Sequence, residues 1–151
     1  MSRAACDRLV LLSRFALVFA MSMAYNIIME LEFLPQVVVE TLPYQRAVNE
    51  IWDTETQIDF KNYIGMHPMQ GDTIPGTGGI RKIRWQGVGH GKRGGIRVIY
   101  YLYNEDHPIY LLYAYPKNAK SNISDSEKKA FREVAEKLKR EFRRKEEHIH
   151  G

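Results

Sequence analysis

The sequence is poor in cysteine and in uninterrupted apolar runs. Of its 151 residues, only Cys6 is a cysteine. A single thiol cannot close a disulfide within the chain or supply a cage of several thiolates to a metal. The apolar stretch from Leu9 to Ala24 is interrupted by Arg14, and the pieces on either side are too short to cross a bilayer as a helix. A reducing compartment is compatible with this composition, and we expect a cytoplasmic protein without a membrane partner.

Residues 1–29 form a leader whose composition differs from that of the rest of the chain. It begins with basic residues and ends in small ones, as a secretory signal does. Asp7 and Arg14 oppose that interpretation, because a signal requires positive charge at the first position and apolar side chains at the second. Later starts are offered by Met21, Met23 and Met29. We therefore interpret residues 1–29 as a misassigned start or a segment outside the domain, with a signal or anchor as the alternative.

Carboxylates are missing from the stretch between Gly76 and Tyr100, although the net charge of the chain is only +4. The segment before it, from Val37 to Pro75, is acidic. The bases of the glycine-rich stretch are Arg81, Lys82, Arg84, Lys92, Arg93 and Arg97. Such asymmetry predicts one basic face that meets a polyanion or an acidic protein.

The pattern of apolar residues predicts a single α+β domain over residues 30–147, followed by a tail at 148–151. A strand is expected within Phe33–Glu40, and two short helices within Tyr44–Ile64 with a break near Thr54. Their apolar residues recur at helical intervals, namely Val48, Ile51, Trp52 and Ile58. The stretch Gly65–Gly79 is rich in glycine and proline and is expected to be a loop.

Three strands and a helix are predicted after that loop. The strands are Ile80–Gln86, Ile96–Tyr103 and Ile109–Tyr115. Asn104–Pro108 has the composition of a turn, so the last two strands should form an antiparallel hairpin. Ser124 with Glu127 matches a capping box and begins a helix that covers the sheet. One face of this helix is expected to carry Phe131, Val134, Leu138 and Phe142.

The basic stretch therefore comprises a strand, a glycine-rich loop and the start of the next strand. Alternation along the first strand places Lys82 and Arg84 on one side and Ile83 on the other. The loop glycines let the backbone approach a ligand, and the adjacent Lys92 and Arg93 could meet phosphate. The spacing matches neither of the common nucleotide-binding loops. A flexible, solvated hairpin loop remains the alternative.

Three motifs in order resemble the RelE/HigB family of bacterial type II toxins, in particular its HigB-like branch. They are "GDTIPGTGGIRKIRW", "GKRGGIRVIYY" and "IYLLYAYPKN", and a basic helix follows them. The likeness runs from Val37 to Arg144. It implies the RelE-like RNase fold, with an N-terminal strand, two helices, an antiparallel sheet and a C-terminal helix. It also implies a toxin that cuts messenger RNA in the ribosomal A site and is inhibited by a cognate antitoxin, often a helix-turn-helix protein like HigA.

The resemblance implies a set of functional residues and no cofactor. Attack by the RNA's own 2′-hydroxyl needs a base, an acid and cations around the phosphate, but no metal. Some relatives place a tyrosine as general base in the C-terminal segment, whereas this chain has Ser124 near that register. Tyr113 and Tyr115 are possible substitutes. The expected catalytic residues are Lys82, Arg84, Arg97, Lys117 and Tyr115, and the expected RNA contacts are Arg81, His90, Lys92 and Arg93.

Two other functions stay open. A ParE-like member of the same superfamily would inhibit gyrase through protein contact and cleave nothing. An inert RNA-binding remnant would keep the basic face without the reaction. The presence of Lys82, Arg84 and Arg97 favours the nuclease, because the gyrase-directed relatives tend to lack the full basic set. His148 and His150 lie in the expected tail, and we predict no metal there.

Overall fold

The computed structural model describes residues 16–28, 34–86, 95–120 and 122–150. The chain divides into two compact units, Met1–Leu34 and Pro35–Gly151. In the first unit, residues 16–28 form a helix, α1, whose side chains are all exposed. Across the described ranges, no helix combines the length and the apolar character needed to cross a membrane.

The second unit is an α+β fold, as predicted. Its elements are β1 (Val38–Glu40), α2 (Leu42–Ile51), α3 (Thr54–Met66), β2 (Asp72–Thr73), β3 (Ile80–Trp85), β4 (Ile96–Tyr101), β5 (Ile109–Pro116) and α4 (Asp125–His150). The break near Thr54 and the order of the long elements are confirmed. The strand β2 lies inside the segment that we expected to be loop. Two residues are too few to show the alternation that predicts a strand.

The five strands form one sheet in the order β1-β5-β4-β3-β2. The pairs β2–β3, β3–β4 and β4–β5 are antiparallel, which confirms the predicted hairpin. The pair β1–β5 is parallel, so the sheet is mixed: the N-terminal strand adds in parallel to the predicted antiparallel part, β2 to β5. Parallel neighbours require a long crossover connection, and here the chain between β1 and β5 passes through two helices and three strands.

Helix starts are set by local side-chain contacts. Asp53 precedes α3, and its carboxylate accepts a hydrogen bond from the backbone N–H of Thr56 at 2.8 Å. At α4, the Ser124 backbone N–H donates to Glu127 at 2.9 Å and the Glu127 N–H donates to the Ser124 hydroxyl at 3.3 Å. These reciprocal bonds confirm the predicted capping box.

Each face of the sheet has its own apolar core. On one face, α2 and α3 pack Tyr44, Val48, Phe60 and Ile64 against the strands. Ile58 lies in a helix, as its spacing predicted, but it is 48% exposed, because the buried stripe of α3 runs through Phe60 and Ile64.

On the other face, α4 lies across the sheet. Its inward residues are Phe131, Ala135, Leu138 and Phe142. Their spacing of four and three residues forms one narrow stripe. Val134, which we expected on the same face as Phe131 and Leu138, lies at the edge of that stripe and is 39% exposed. Ala135 takes the inward position instead. Arg132 fastens the helix to the β2–β3 turn, because its Nε donates to the Gly76 carbonyl at 2.6 Å.

Candidate active site

Strand register places three predicted site residues side by side. Arg84 on β3 lies opposite Arg97 on β4, and Arg97 lies opposite Tyr115 on β5. Because directly opposed residues share a face of the sheet, these three side chains form one row. We call Arg84, Arg97 and Tyr115 the arginine row.

A second row runs beside the first on the same face. Lys82 lies opposite Ile99, and Ile99 lies opposite Tyr113. Tyr113 and Tyr115 are two residues apart on β5 and therefore share this face, and the β-bulge lies before them, between Leu111 and Tyr113. The rings of Tyr113 and Tyr115 are stacked, with centroids 6.3 Å apart and planes inclined by 30°.

The arginine row concentrates positive charge without compensation. Two like charges directly opposed across a ladder destabilise the sheet by a few tenths of a kcal/mol or more. Within the described part of the chain, neither Arg84 nor Arg97 makes an ion pair or hydrogen bond through its side chain. The Nε of Arg97 is buried with no hydrogen-bond partner among these residues. Such an arrangement is favourable once an anion lies between the guanidinium groups.

Gly95 provides the space in which Arg84 lies. A Cβ atom built on Gly95 would be 2.6 Å from Nε of Arg84, so a larger residue at this position would force the Arg84 side chain to move. The Gly95 carbonyl accepts the backbone N–H of Lys117 at 3.1 Å. The predicted residue Lys117 is therefore held by its main chain at the same end of the sheet, and its side chain is exposed.

Tyr115 combines burial with an unpartnered hydroxyl. It is 5% exposed, and its Oη has no hydrogen-bond partner among the described residues. Burial raises the pKa of Tyr115 above its ordinary value, Arg97 and Lys120 lower it, and Glu127 raises it. With a pKa raised from a value near 10, the hydroxyl keeps its proton at neutral pH and is a donor.

Tyr44 Oη and Trp85 Nε1 are also buried without a partner among the described residues. Both belong to the core on the α2 and α3 face. A missing partner does not by itself identify the site. What distinguishes the arginine row is the combination of an unpartnered hydroxyl with two facing cations.

An ion pair that the sequence did not indicate borders the row. The Nζ of Lys120 lies 5.9 Å from the centroid of the Tyr115 ring. The same ammonium is ion-paired with Glu127, and the Ser124 hydroxyl donates to Glu127 at 2.7 Å. The hydrogen bond from Lys120, followed by those from Ser124, lowers the pKa of Glu127 to about 2. Ser124, near the register where some relatives have a tyrosine, is thus committed to the start of α4.

Arg81 lies apart from the row. Side chains alternate along β3, so Arg81 faces the side opposite to Lys82 and Arg84. Its guanidinium donates to the carbonyls of Gly71 at 2.7 Å and Met69 at 3.3 Å. These bonds hold the segment before β2. The other predicted RNA contacts, His90, Lys92 and Arg93, lie outside the described residues.

The part of the chain that carries this geometry matches a protein-family model. The model described as the RelE toxin of the RelE / RelB toxin-antitoxin system matches residues 70–149, which is more than half of the chain. The chain belongs to the RelE toxin family. The match includes the whole arginine row, Lys82 and the Lys120–Glu127 pair. A toxin role opposed by an antitoxin follows from the membership, in a family whose members are generally RNases.

Proposed function

We propose that this RelE toxin is an endoribonuclease that cuts messenger RNA in the ribosomal A site by attack of the RNA's own 2′-hydroxyl. The observation that supports this most is the pair of facing arginines beside a buried, unpartnered tyrosine hydroxyl. A phosphodiester between the two guanidinium groups would relieve their repulsion and complete the hydrogen bonding of Arg97 and Tyr115. No other pair of opposed residues in the β3–β4 register described here is doubly cationic.

The reaction forms one bond and breaks one. The 2′-oxygen bonds to phosphorus and gives its proton to a base, while the bond from phosphorus to the 5′-oxygen breaks and that oxygen takes a proton from an acid. The products are a 2′,3′-cyclic phosphate and a 5′-hydroxyl. Arg97 holds the phosphate oxygens through its planar fork as negative charge increases in the transition state. Arg84 shares this charge from across the ladder.

The proton transfers are assigned by what each side chain can do. Tyr115 keeps its proton at neutral pH, so we assign it the donor role toward the phosphate or the leaving 5′-oxygen. An arginine does not lose its proton in a protein. Lys82, in the neighbouring row, is therefore the proton acceptor of this set, a role that requires its neutral amine form, and Tyr113 is the alternative. Because the two arginines supply the charge stabilisation, the proposed steps enlist no metal.

The proposed partners follow from the same assignment. His90, Lys92 and Arg93 would contact RNA outside the scissile phosphate, and Lys117, at the same end of the sheet as the arginine row, would add its charge to the catalytic set. The Arg81 guanidinium instead faces the other side of the sheet and holds the segment before β2. We place the protein in the HigB-like branch on the order of its three motifs, which makes a helix-turn-helix antitoxin like HigA the expected inhibitor. Action on translating ribosomes places the toxin in the cytoplasm.

The test is cleavage mapping in a translating extract, with the ends of the products identified. We expect cuts confined to translated codons, with 2′,3′-cyclic phosphate on one fragment and 5′-hydroxyl on the other. A messenger whose start codon is destroyed is the control and should remain intact. Inhibition of gyrase with an intact messenger would instead support the ParE-like function, and binding of ribosomes without cleavage would support the inert remnant.

A further inference from the structure

A cleft of about 410 Å³ lies beside the arginine row, between α2 and β5. Its volume is in the usual range for small-ligand sites. Ala47, Glu50 and Ile51 line it from α2, and Tyr113, Tyr115 and Lys120 line it from the other side. Residues three and four apart on a helix share a face, so the α2 side of the cleft is one continuous helical surface.

The cleft borders the proposed catalytic site at the edge of β5, through one shared residue. Tyr115 belongs both to the arginine row and to the wall of the cleft. Tyr113 is 37% exposed there and presents an aromatic ring. RNA-binding proteins hold unstacked bases on such rings. A nucleotide whose phosphate lies between Arg84 and Arg97 would have a neighbouring base within reach of this wall.

The open edge of β5 is poorly suited to a further strand. β1 covers β5 only from Ile109 to Leu111. The backbone N–H of Lys117 donates to the Gly95 carbonyl and so points toward β4. Backbone groups alternate in direction along a strand, so those of Ala114 and Pro116 point away from β4. Ala114 and Pro116 therefore face the edge. Proline has no N–H, and the Pro116 carbonyl already accepts the N–H of Ala119 at 3.1 Å. Only Ala114 then has both backbone groups free at this part of the edge, and one residue is a weak template for the addition of a strand from another protein.

Glu50 is the unexpected member of this wall. Its carboxylate makes no ion pair or hydrogen bond to another described residue. A negative charge beside a phosphate site weakens the attraction of RNA as a whole. A carboxylate does, however, accept hydrogen bonds from the amino groups of adenine, cytosine and guanine. The pairing edge of uracil has no amino group, and its single donor, N3–H, lies between two carbonyl oxygens that repel a carboxylate.

We propose that the cleft between α2 and β5 receives the base next to the scissile phosphate, and that Glu50 selects bases that carry an amino group over uracil. This inference rests on the proposed function, because it takes the arginine row as the phosphate site. Tyr113 supplies the stacking surface. Glu50 supplies the discrimination between bases.

The experiment compares wild type, Glu50→Gln and Glu105→Gln. Glu105 is an exposed carboxylate in the β4–β5 turn, so its variant makes the same charge change away from the cleft. Single-turnover cleavage is measured on ribosome-bound messengers in which each base of the A-site codon is varied in turn. At one position, wild type and Glu105→Gln should cut amino-bearing bases at least about fivefold faster than uracil, and Glu50→Gln should lose that preference.

A second measurement separates this proposal from the nuclease itself. Short oligonucleotides with 2′-O-methyl groups cannot be cut, and their binding is followed by the quenching of protein fluorescence. Base-dependent binding that Glu50→Gln abolishes supports the base site even if no messenger is cleaved, in which case only the nuclease proposal fails. Equal base preference in wild type and Glu50→Gln, in both assays, overturns the inference. Loss of antitoxin binding in Glu50→Gln with that preference unchanged would assign the cleft to a protein and overturn it as well.

Discussion

Two arginines three residues apart on β3 have opposite surroundings. Arg81 donates to two backbone carbonyls and holds the segment before β2. Arg84 lies over Gly95 and faces Arg97, with no hydrogen-bond or ion-pair partner among the described residues. The contrast shows that the same side chain is structural where its donors are satisfied within the fold, and is available to a ligand where they are not.

Two tyrosines repeat the contrast. The Tyr100 hydroxyl accepts the Gly71 N–H at 2.9 Å and donates to the Pro68 carbonyl at 2.7 Å. The Tyr115 hydroxyl is buried with no partner in the described part of the chain. We call Gly71, Arg81 and Tyr100 the Gly71 corner. The Gly71 corner should govern stability, and the arginine row should govern activity.

The largest expected difference is between Arg84→Ala and Arg81→Ala. Arg84→Ala removes half of the proposed phosphate site, so cleavage should fall by about a hundredfold. The Tm should stay the same or rise slightly, because the repulsion with Arg97 is relieved. Arg81→Ala breaks hydrogen bonds to a charged donor and should destabilise the fold by about 1–2 kcal/mol, with a much smaller loss of cleavage. Thermal melting and single-turnover rates on the same preparations check both, and equal losses of activity would erase the distinction.

The comparison of Tyr115→Phe with Tyr100→Phe should give a smaller difference of the same kind, with activity lost in the first variant and stability lost in the second. Tyr115→Phe removes a hydroxyl that has no partner, so we expect an unchanged Tm and a rate lowered by about tenfold or more. Tyr100→Phe leaves the Gly71 N–H buried without an acceptor, which should cost about 1–3 kcal/mol of stability. The same two assays apply. A Tyr115→Phe protein that melts earlier but cuts normally would place this hydroxyl among the structural groups.

The Lys120–Glu127 pair predicts a stability difference that depends on pH. The pKa of Glu127 is lowered to about 2 in the folded protein. Its carboxylate therefore stabilises the fold above about pH 4.5 and loses that contribution as the pH falls toward 2. Glu127→Gln should lower the Tm by about 2–4 °C at pH 7, and the difference should shrink below pH 4.5. Glu105→Gln is the control and should differ from wild type at no pH.

The smallest effect is expected from the leader. The side chains of residues 16–28 are exposed, so their removal uncovers no core. Deletion of residues 1–28 should leave the Tm and the cleavage rate unchanged within error. Precipitation of the shortened protein, or loss of its thermal transition, would show that the leader belongs to the folded structure.

Local patterns in the sequence predicted the elements because local contacts form them. The capping box at Ser124 involves residues three apart, and the turn at Asn104–Pro108 joins consecutive strands. The alternation of Lys82, Ile83 and Arg84 likewise needs only one strand. These features depend on the backbone geometry of a few neighbours, and the structure confirms each of them.

What the sequence did not reveal depends on distant parts of the chain. The parallel direction of β1 and β5 depends on how the chain returns after two helices and three strands. The approach of Lys120 to Tyr115 depends on the turn after β5, and Lys120 itself has no distinguishing neighbours in the sequence. Glu50 lines the cleft only because α2 packs against β5. In the sequence, Arg81 cannot be distinguished from the other bases of the charged stretch, because its partners Met69 and Gly71 are ten or more residues away along the chain.

The central claim is that Arg97 holds the scissile phosphate, and single-turnover cleavage of an A-site messenger tests it most directly. Wild type, Arg97→Ala and Arg97→Lys are compared, with ribosome binding and thermal melting measured in parallel. We predict a rate lower by about a hundredfold or more in Arg97→Ala, partial recovery in Arg97→Lys, and nearly unchanged ribosome affinity and Tm. Lysine recovers only part because it keeps the charge without the planar fork. Cleavage at the wild-type rate by a folded Arg97→Ala protein would contradict the account.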